Sequence, residues 1–225
     1  MSPALTRKEK QAKTRSALLS SAAKLICRKG ISEASVEDMA TDAGYTKGAF
    51  YANFKSKEEL FLVMLDEKYA EELERLVRDL SGEGAPGEEA RHAAEEFIRF
   101  AWSDPQWPKL YFEFTAYAAR NPEFREELAT RDRAMRERIA EVFRRWSADF
   151  PAEPPFSYDD LAMMIFCMAN GFLMGKLIEP ELSEELYGTM MATFFLGTAV
   201  SAKGLDLEDL ADAQEALSRR TGAGR

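Results

Sequence analysis

Residues 30–60 read GISEASVEDMATDAGYTKGAFYANFKSKEEL, and the spacing of residue types in this stretch decides the fold. Gly30 follows a helical pattern in which Leu18, Ala22, Leu25 and Ile26 share one face, the place where a left-handed residue ends a helix. Ser35 stands before a second pattern with Val36, Met39, Ala40 and Ala43 on one side, and Asp38 follows three residues later, as in an N-cap. Gly44-Tyr45 makes a tight turn. Thr46 then caps a third short helix whose Ala49, Phe50 and Phe54 face inward. Ser56-Lys-Glu-Glu59 repeats the capping pattern and opens a long helix from Lys57 to about Leu80. Two short helices across a tight turn, packed on a longer one, predict a helix-turn-helix over roughly Thr14 to Leu60.

The rest of the chain is helical by the same criteria, with no alternating strand pattern. Ser81 to Gly87 is a loop by composition. Beyond it, helices are expected at about 88–102, 106–119, 123–149, 158–178 and 181–202, divided by Asp104-Pro, Asn121-Pro, the segment Pro151 to Pro155 and Glu179-Pro. The tail from Lys203 has room for another short helix. The chain therefore divides into residues 1–57, with 1–13 a basic flexible tail, a body of 58–203 and a partly disordered tail of 204–225.

Composition bounds the function. Of the 225 residues, 46% are hydrophobic, enough for a globular core. Met1 to Gln11 lacks the apolar run of a secretory signal, and Leu161 to Gly175, interrupted by Asn170, is shorter than a membrane span. It reads as a fully buried helix in a cytoplasmic protein. Cys27 and Cys167 lack metal-ligand spacing and read as small core residues, so no metal and no cofactor is expected. His92 is the one histidine, and no nucleophile–base pair or phosphate loop accompanies it, so no catalytic residue is assigned.

Charge is unevenly placed. Residues 1–57 hold eleven Lys/Arg against five Asp/Glu, a net of +6 on a chain of −9, leaving −15 for the remainder. A basic end on an acidic body suits a small module that meets phosphate. The third helix turns Thr46, Lys47, Gly48, Tyr51, Ala52 and Asn53 away from Phe50 and Phe54, offering hydroxyl, ammonium and amide groups to phosphates or base edges. Gly48 leaves space for close backbone approach. The alternative for Tyr51 is a core tyrosine, and for Lys57 a solvated charge.

Gly30, Ser35-Val36, Met39-Ala40, Ala43-Gly44, Lys47-Gly48, Tyr51, Phe54, Ser56-Lys57 and Leu60 resemble, at matching spacing, the signature of TetR-family (tetracycline-repressor-like) regulators. The resemblance covers about a quarter of the chain. It implies an all-α fold of about nine helices: an N-terminal helix-turn-helix module joined by a long helix to a larger ligand-binding and dimerisation domain. It implies a homodimer on double-stranded DNA with an inverted-repeat operator and repression relieved by a small-molecule effector. The shortness of the apolar run from Leu161 to Gly175 adds that no membrane partner is expected. Residue by residue, it gives phosphate contacts to Ser35, Thr46, Tyr51 and Lys57, and groove contacts to Lys47, Gly48, Ala52 and Asn53. Asn53 stands where the family often has histidine, and Ala52 where it often has a larger residue.

For the effector, helix 106–119 lines Trp107, Leu110, Tyr111, Phe114 and Tyr117 along one region, with Phe97 before it and Phe166 and Asn170 further on. These aromatics read either as core or as a pocket for a largely apolar ligand. Asn170, Cys167, Thr115 and Glu113 are the polar groups available to orient it. Cys167, Gly171 and Gly175 form a small-residue stripe where another helix can approach, across a dimer or within the subunit. The rival functions are an activator or a regulator answering to a protein partner; an enzyme is disfavoured.

Overall fold

The hydroxyls read as caps do cap helices in the computed structural model, which describes residues 6–80, 86–104, 106–148 and 154–202. Ser35 Oγ accepts the Asp38 N–H at 3.0 Å, Thr46 Oγ1 accepts the Ala49 N–H at 3.2 Å, and Ser56 Oγ accepts the Glu59 N–H at 3.1 Å. Among the described residues there are nine α-helices and no strand. They are α1 (Arg7–Lys29), α2 (Val36–Asp42), α3 (Lys47–Tyr51), α4 (Lys57–Asp79), α5 (Pro86–Ser103), α6 (Gln106–Ala118), α7 (Pro122–Trp146), α8 (Tyr158–Ile178) and α9 (Glu184–Ala202). Gly30 and Gly44 both have positive φ, 79° and 77°, which is why glycine stands at the α1 end and in the α2–α3 turn.

The main departure from the expected helices is at the N-terminus. α1 begins at Arg7, inside the segment expected to be a flexible tail. Thr6 accepts the Glu9 N–H while the Glu9 carboxylate accepts the Thr6 N–H, a reciprocal pair that satisfies two free donors of the first turn. The Thr-x-x-Glu spacing was the available signal. Two later starts also follow local chemistry: Pro86 opens α5, where its missing N–H costs nothing, and Ser183, not Glu181, caps α9. The possible helix beyond Lys203 lies outside the described residues.

The described residues pack as two units. The first draws on Met1–Glu74, Arg99–Met135 and Leu173–Pro180. Its buried residues include Leu18, Leu25, Ile26, Met39, Phe50 and Phe54, so the inward faces read from the sequence are the core of the helix-turn-helix. Burying a side chain of this size stabilises the fold by about 1.5–3 kcal/mol. Phe61 of α4 stacks on Phe114 of α6 with ring centroids 5.7 Å apart, and Phe124 of α7 meets Phe114 edge-on. The second unit draws on Arg75–Ile98, Arg136–Phe172 and Glu181–Arg225. Its centre is Tyr187, buried against Phe97 and Phe172, with Phe143 stacked on Phe195. These units do not follow a chain boundary at residue 57, because α6 packs with the N-terminal helices.

Helix α8 is not the fully buried helix its composition suggested. By length and composition alone it is apolar enough to cross a membrane, and about 33% of its most apolar stretch is buried. Leu161, Ala162, Ala169 and Phe172 are inside, whereas Met163, Cys167, Gly171, Met174 and Ile178 are exposed. Those exposed positions recur at helical spacing and form one stripe, so Cys167 is a surface residue and not a core one. A helix apolar all round carries no mark of which side its own chain covers. Lys176, in contrast, is buried, with its ammonium donating to the Pro180 carbonyl and lying 5.2 Å from the Trp102 ring.

Candidate nucleic-acid interface

The outward side of α3 is built by the burial of its inward side. Phe50 and Phe54 are at most 2% exposed, and this fixes the helix rotation so that Tyr51 is 52% exposed. Thr46, Lys47, Gly48 and Ala52 are exposed with it, as is Ser35 at the start of α2. The hydroxyls of Ser35 and Thr46 spend a lone pair on their caps and keep the O–H hydrogen to donate outward. An alanine Cβ at Gly48 would meet only Thr46 Oγ1, at 3.7 Å. Nothing inside the chain asks for glycine there.

Asn53 and Lys57 are more engaged than their neighbours. Asn53 is half-buried; its Nδ2 donates to the Ala49 carbonyl at 2.8 Å, and its Oδ1 is buried without a hydrogen-bond partner. The Lys57 ammonium donates to the Ile31 carbonyl at 3.1 Å and to the Ala34 carbonyl at 3.4 Å. Two of its three donors therefore hold the α1–α2 corner to the start of α4, a role its sequence position did not disclose.

Three supporting residues were also silent in the sequence. The Arg15 guanidinium, from α1, donates to the Asn53 carbonyl at 3.3 Å, at the end of α3. The buried Ser21 hydroxyl lies 2.9 Å from the Met39 carbonyl and 2.8 Å from an Asp42 carboxylate oxygen, tying α1 to α2. Lys29 pairs with Asp38 at 3.3 Å and, with the Ser35 hydroxyl, holds that carboxyl below the usual carboxylate range. Only the tertiary arrangement brings these pairs together. A cleft of about 440 Å³ between α1 and α2, lined by Arg28, Lys29, Ser35, Glu37, Asp38 and Thr41 among others, carries both signs of charge.

The effector candidates fall in both units. Trp107, Tyr111, Phe114 and Tyr117 lie on α6 in the first, where Trp107 and Phe114 are buried. The Tyr117 hydroxyl donates to Glu58 at 2.9 Å. Phe97, Phe166 and Asn170 lie in the second; Arg136 sits 5.6 Å from the Phe166 ring, and Asn170 bonds back to the Phe166 carbonyl. Of the polar candidates, Thr115 is exposed and bonded to the Tyr111 carbonyl, and Glu113 accepts the Ile31 N–H at 3.1 Å. Glu72, which no pattern of neighbouring residues marks, is buried in the first unit. Burial pushes its carboxyl up to about 7, against the opposing pull of Lys68 and a hydrogen bond from Trp107.

Residues 18–64 match the family model of bacterial regulatory proteins of the tetR family, and residues 86–200, more than half of the chain, match that of the BetI-type transcriptional repressor C-terminal domain. The uncharacterised HTH-type transcriptional regulator YwcC of Bacillus subtilis (strain 168) is 31% identical over 97 residues, 40% of this chain and 41% of that protein. YfiR, an uncharacterised HTH-type regulator of the same organism, is 24% identical over 205 residues, 90% of this chain and 98% of its own. Among solved structures, the regulator FadR of Bacillus subtilis in complex with stearoyl-CoA superposes with a TM-score of 0.68 at 14% identity, over 85% of this chain and 99% of that one.

Proposed function

The chain belongs to the TetR family of bacterial transcriptional regulators, and from that premise we propose that it is a cytoplasmic repressor that grips an inverted-repeat operator as a homodimer until a small, largely apolar effector releases it. As a family member it is a DNA-binding regulator and not an enzyme. The observation that carries the operator reading is the outward face of α3, where Thr46, Lys47, Gly48, Tyr51 and Ala52 are exposed on a helix anchored by two buried phenylalanines. Ser35, Thr46 and Tyr51 are the proposed phosphate contacts, Lys57 a further one through its remaining donor, and Lys47, Gly48, Ala52 and Asn53 the groove contacts.

The homodimer reading is supported by the exposed stripe Met163, Cys167 and Gly171 on α8, and by Leu186 and Met190 on α9. A Cβ at Gly171 would meet nothing within 4 Å, so this glycine serves no packing inside the subunit. A second copy is the occupant that gives small and apolar residues a purpose there. The two third helices of such a dimer enter successive major grooves about 34–36 Å apart.

For the effector, Trp107, Tyr111, Phe114 and Tyr117 form one candidate set and Phe97, Phe166 and Asn170 the other. The stearoyl-CoA carried by the FadR structure is a precedent, in a protein of the same fold, for a ligand with a long apolar chain. A ligand releases the operator only by binding the DNA-incompetent form more tightly, and about 1.4 kcal/mol of such preference costs tenfold in operator affinity.

The test is a mobility shift with DNA upstream of the coding region at two salt concentrations. Specific retardation that weakens steeply with salt, with a slope of roughly −0.9 per phosphate neutralised, is expected. Absence of any specific retardation would reject the operator reading.

A further inference from the structure

Residues 30–34 form the corner between α1 and α2, closed on itself by the Ala34 N–H donating to the Gly30 carbonyl at 3.2 Å, with Ser32 and Glu33 turned to solvent and two apolar positions turned inward. Ile31 is 1% exposed and Ala34 is fully buried. Three further backbone groups of this corner are taken by side chains of two different helices. The Ile31 and Ala34 carbonyls accept from the Lys57 ammonium, at the start of α4. The Ile31 N–H is given to Glu113, in the middle of α6, at 3.1 Å. The approach is close: the Glu113 carboxylate lies 3.3 Å from where a Cβ on Gly30 would stand, and Gly30 has φ of 79°. Any other residue at position 30 would be strained and would crowd that oxygen.

Glu113 is not the only tie from α6. One end of α6 offers the Gln106 carbonyl to the Cys27 thiol at 3.6 Å, and near the other end Tyr117 donates to Glu58 while receiving a bond from Asn121. The thiol is a weak donor. The Tyr117 bond reaches α4 and not the helix-turn-helix corner. Glu113 is the tie that joins α6 to the corner between α1 and α2 through a charged acceptor, the stronger class of hydrogen bond. It precedes Phe114, whose ring is packed against Phe61 of α4 and Phe124 of α7. A displacement of α6 therefore reaches the corner through a bond that is either made or broken, and a buried N–H left without its acceptor is costly.

We infer that Glu113 is a latch that couples α6 to the orientation of the DNA-binding helices. The bond made holds the α1–α2 corner, and with it α2 and α3, in the arrangement seen here. The bond broken frees the corner to turn about Lys57. The inference rests on the DNA-binding reading above and names the contact through which that binding is regulated. Coupling is reciprocal, so DNA that orders the corner must in turn order α6, and this can be measured with no effector in hand.

The experiment is amide hydrogen exchange on the full chain, free and bound to duplexes that the wild-type protein has selected from a randomised pool. Wild type should show exchange in residues 106–118 slowed at least about fivefold on DNA binding, the low end of ordinary site-to-site coupling. E113A should bind the same duplexes and lose that slowing. E113D, one methylene too short to reach Ile31 and free of a new cavity, should behave like E113A. E113Q keeps an oxygen acceptor and should keep the response. Melting of the free variants checks that each is folded. If no duplex is recovered, the DNA-binding reading itself fails. If duplexes bind but α6 is unchanged in wild type, or responds equally in E113A and E113D, or is lost in E113Q as fully as in E113A, the latch is overturned.

Discussion

The Arg15 guanidinium lies 4.5 Å from the centroid of the Phe54 ring, so a residue of α1 stands over the aromatic that anchors the end of α3. The same guanidinium donates to the Asn53 carbonyl, one residue away. A five-residue helix makes few hydrogen bonds of its own, and its orientation depends on supports such as this one. Arg15→Met keeps the aliphatic bulk and removes both contacts. The DNA-free protein should lose about 0.5–2 kcal/mol in chemical denaturation, the range for a cation over an aromatic face. Operator binding should weaken for every sequence alike. Unchanged denaturation would show that Arg15 is a bystander.

Gly48→Ala separates the demands of the free protein from those of the complex. An added Cβ has room, and alanine favours a helix over glycine by up to about 1 kcal/mol, so the melting temperature should hold or rise. Operator affinity should fall, because the methyl occupies the space through which the backbone approaches DNA. Tyr51→Phe should also weaken binding, by roughly 0.5–3 kcal/mol for a lost hydrogen bond to a charged phosphate, with melting unchanged because the hydroxyl is exposed. Wild-type affinity in both variants would remove this face of α3 from the interface.

Glu72 sets a pH dependence with a definite sign. Its folded carboxyl titrates at about 7, against 4.5 for the ordinary side chain, with burial as the main cause. Between those values the folded chain keeps a proton that the unfolded chain has released. Stability contributed by Glu72 therefore falls as pH rises from about 4.5 through 7, by an amount on the order of 3 kcal/mol. Glu72→Gln, neutral at every pH, should flatten this part of the profile and raise stability at pH 8 relative to wild type. Denaturation curves at pH 5 and pH 8 are the measurement, and profiles that run parallel would mean that Glu72 does not carry the proton.

Gly171→Arg tests the dimer without disturbing the subunit. The position is exposed and a Cβ there meets nothing of its own chain within 4 Å. Helix content and melting measured at low concentration should stay close to wild type, whereas sedimentation should shift from dimer to monomer. Affinity for an inverted repeat should drop towards that of a single half-site. A variant that sediments as a dimer would place the interface elsewhere.

Local chemistry in this chain is legible from residue order. Ser35, Thr46 and Ser56 could be named as caps, and Gly30 and Gly44 as helix ends, because each satisfies or permits backbone within a few residues of itself. The burial of Phe50 and Phe54, and with it the outward face of α3, follows from helical periodicity in the same way. Thr6-x-x-Glu9 was equally local and shows that even the start of α1 was written in the sequence.

What the tertiary structure alone decided are the contacts that join residues far apart in the chain. Arg15 over Phe54, Lys57 beneath the corner at Ile31 and Glu113 on that same corner are separated by 26 to 82 positions, and no periodicity links them. The same holds for α8, where the apolar pattern runs all round and only the packing of its neighbours settles that Cys167 and Gly171 face outward. A helix records its own turn in sequence; which helix lies against it, and which buried charge that neighbour brings, is set by the fold as a whole.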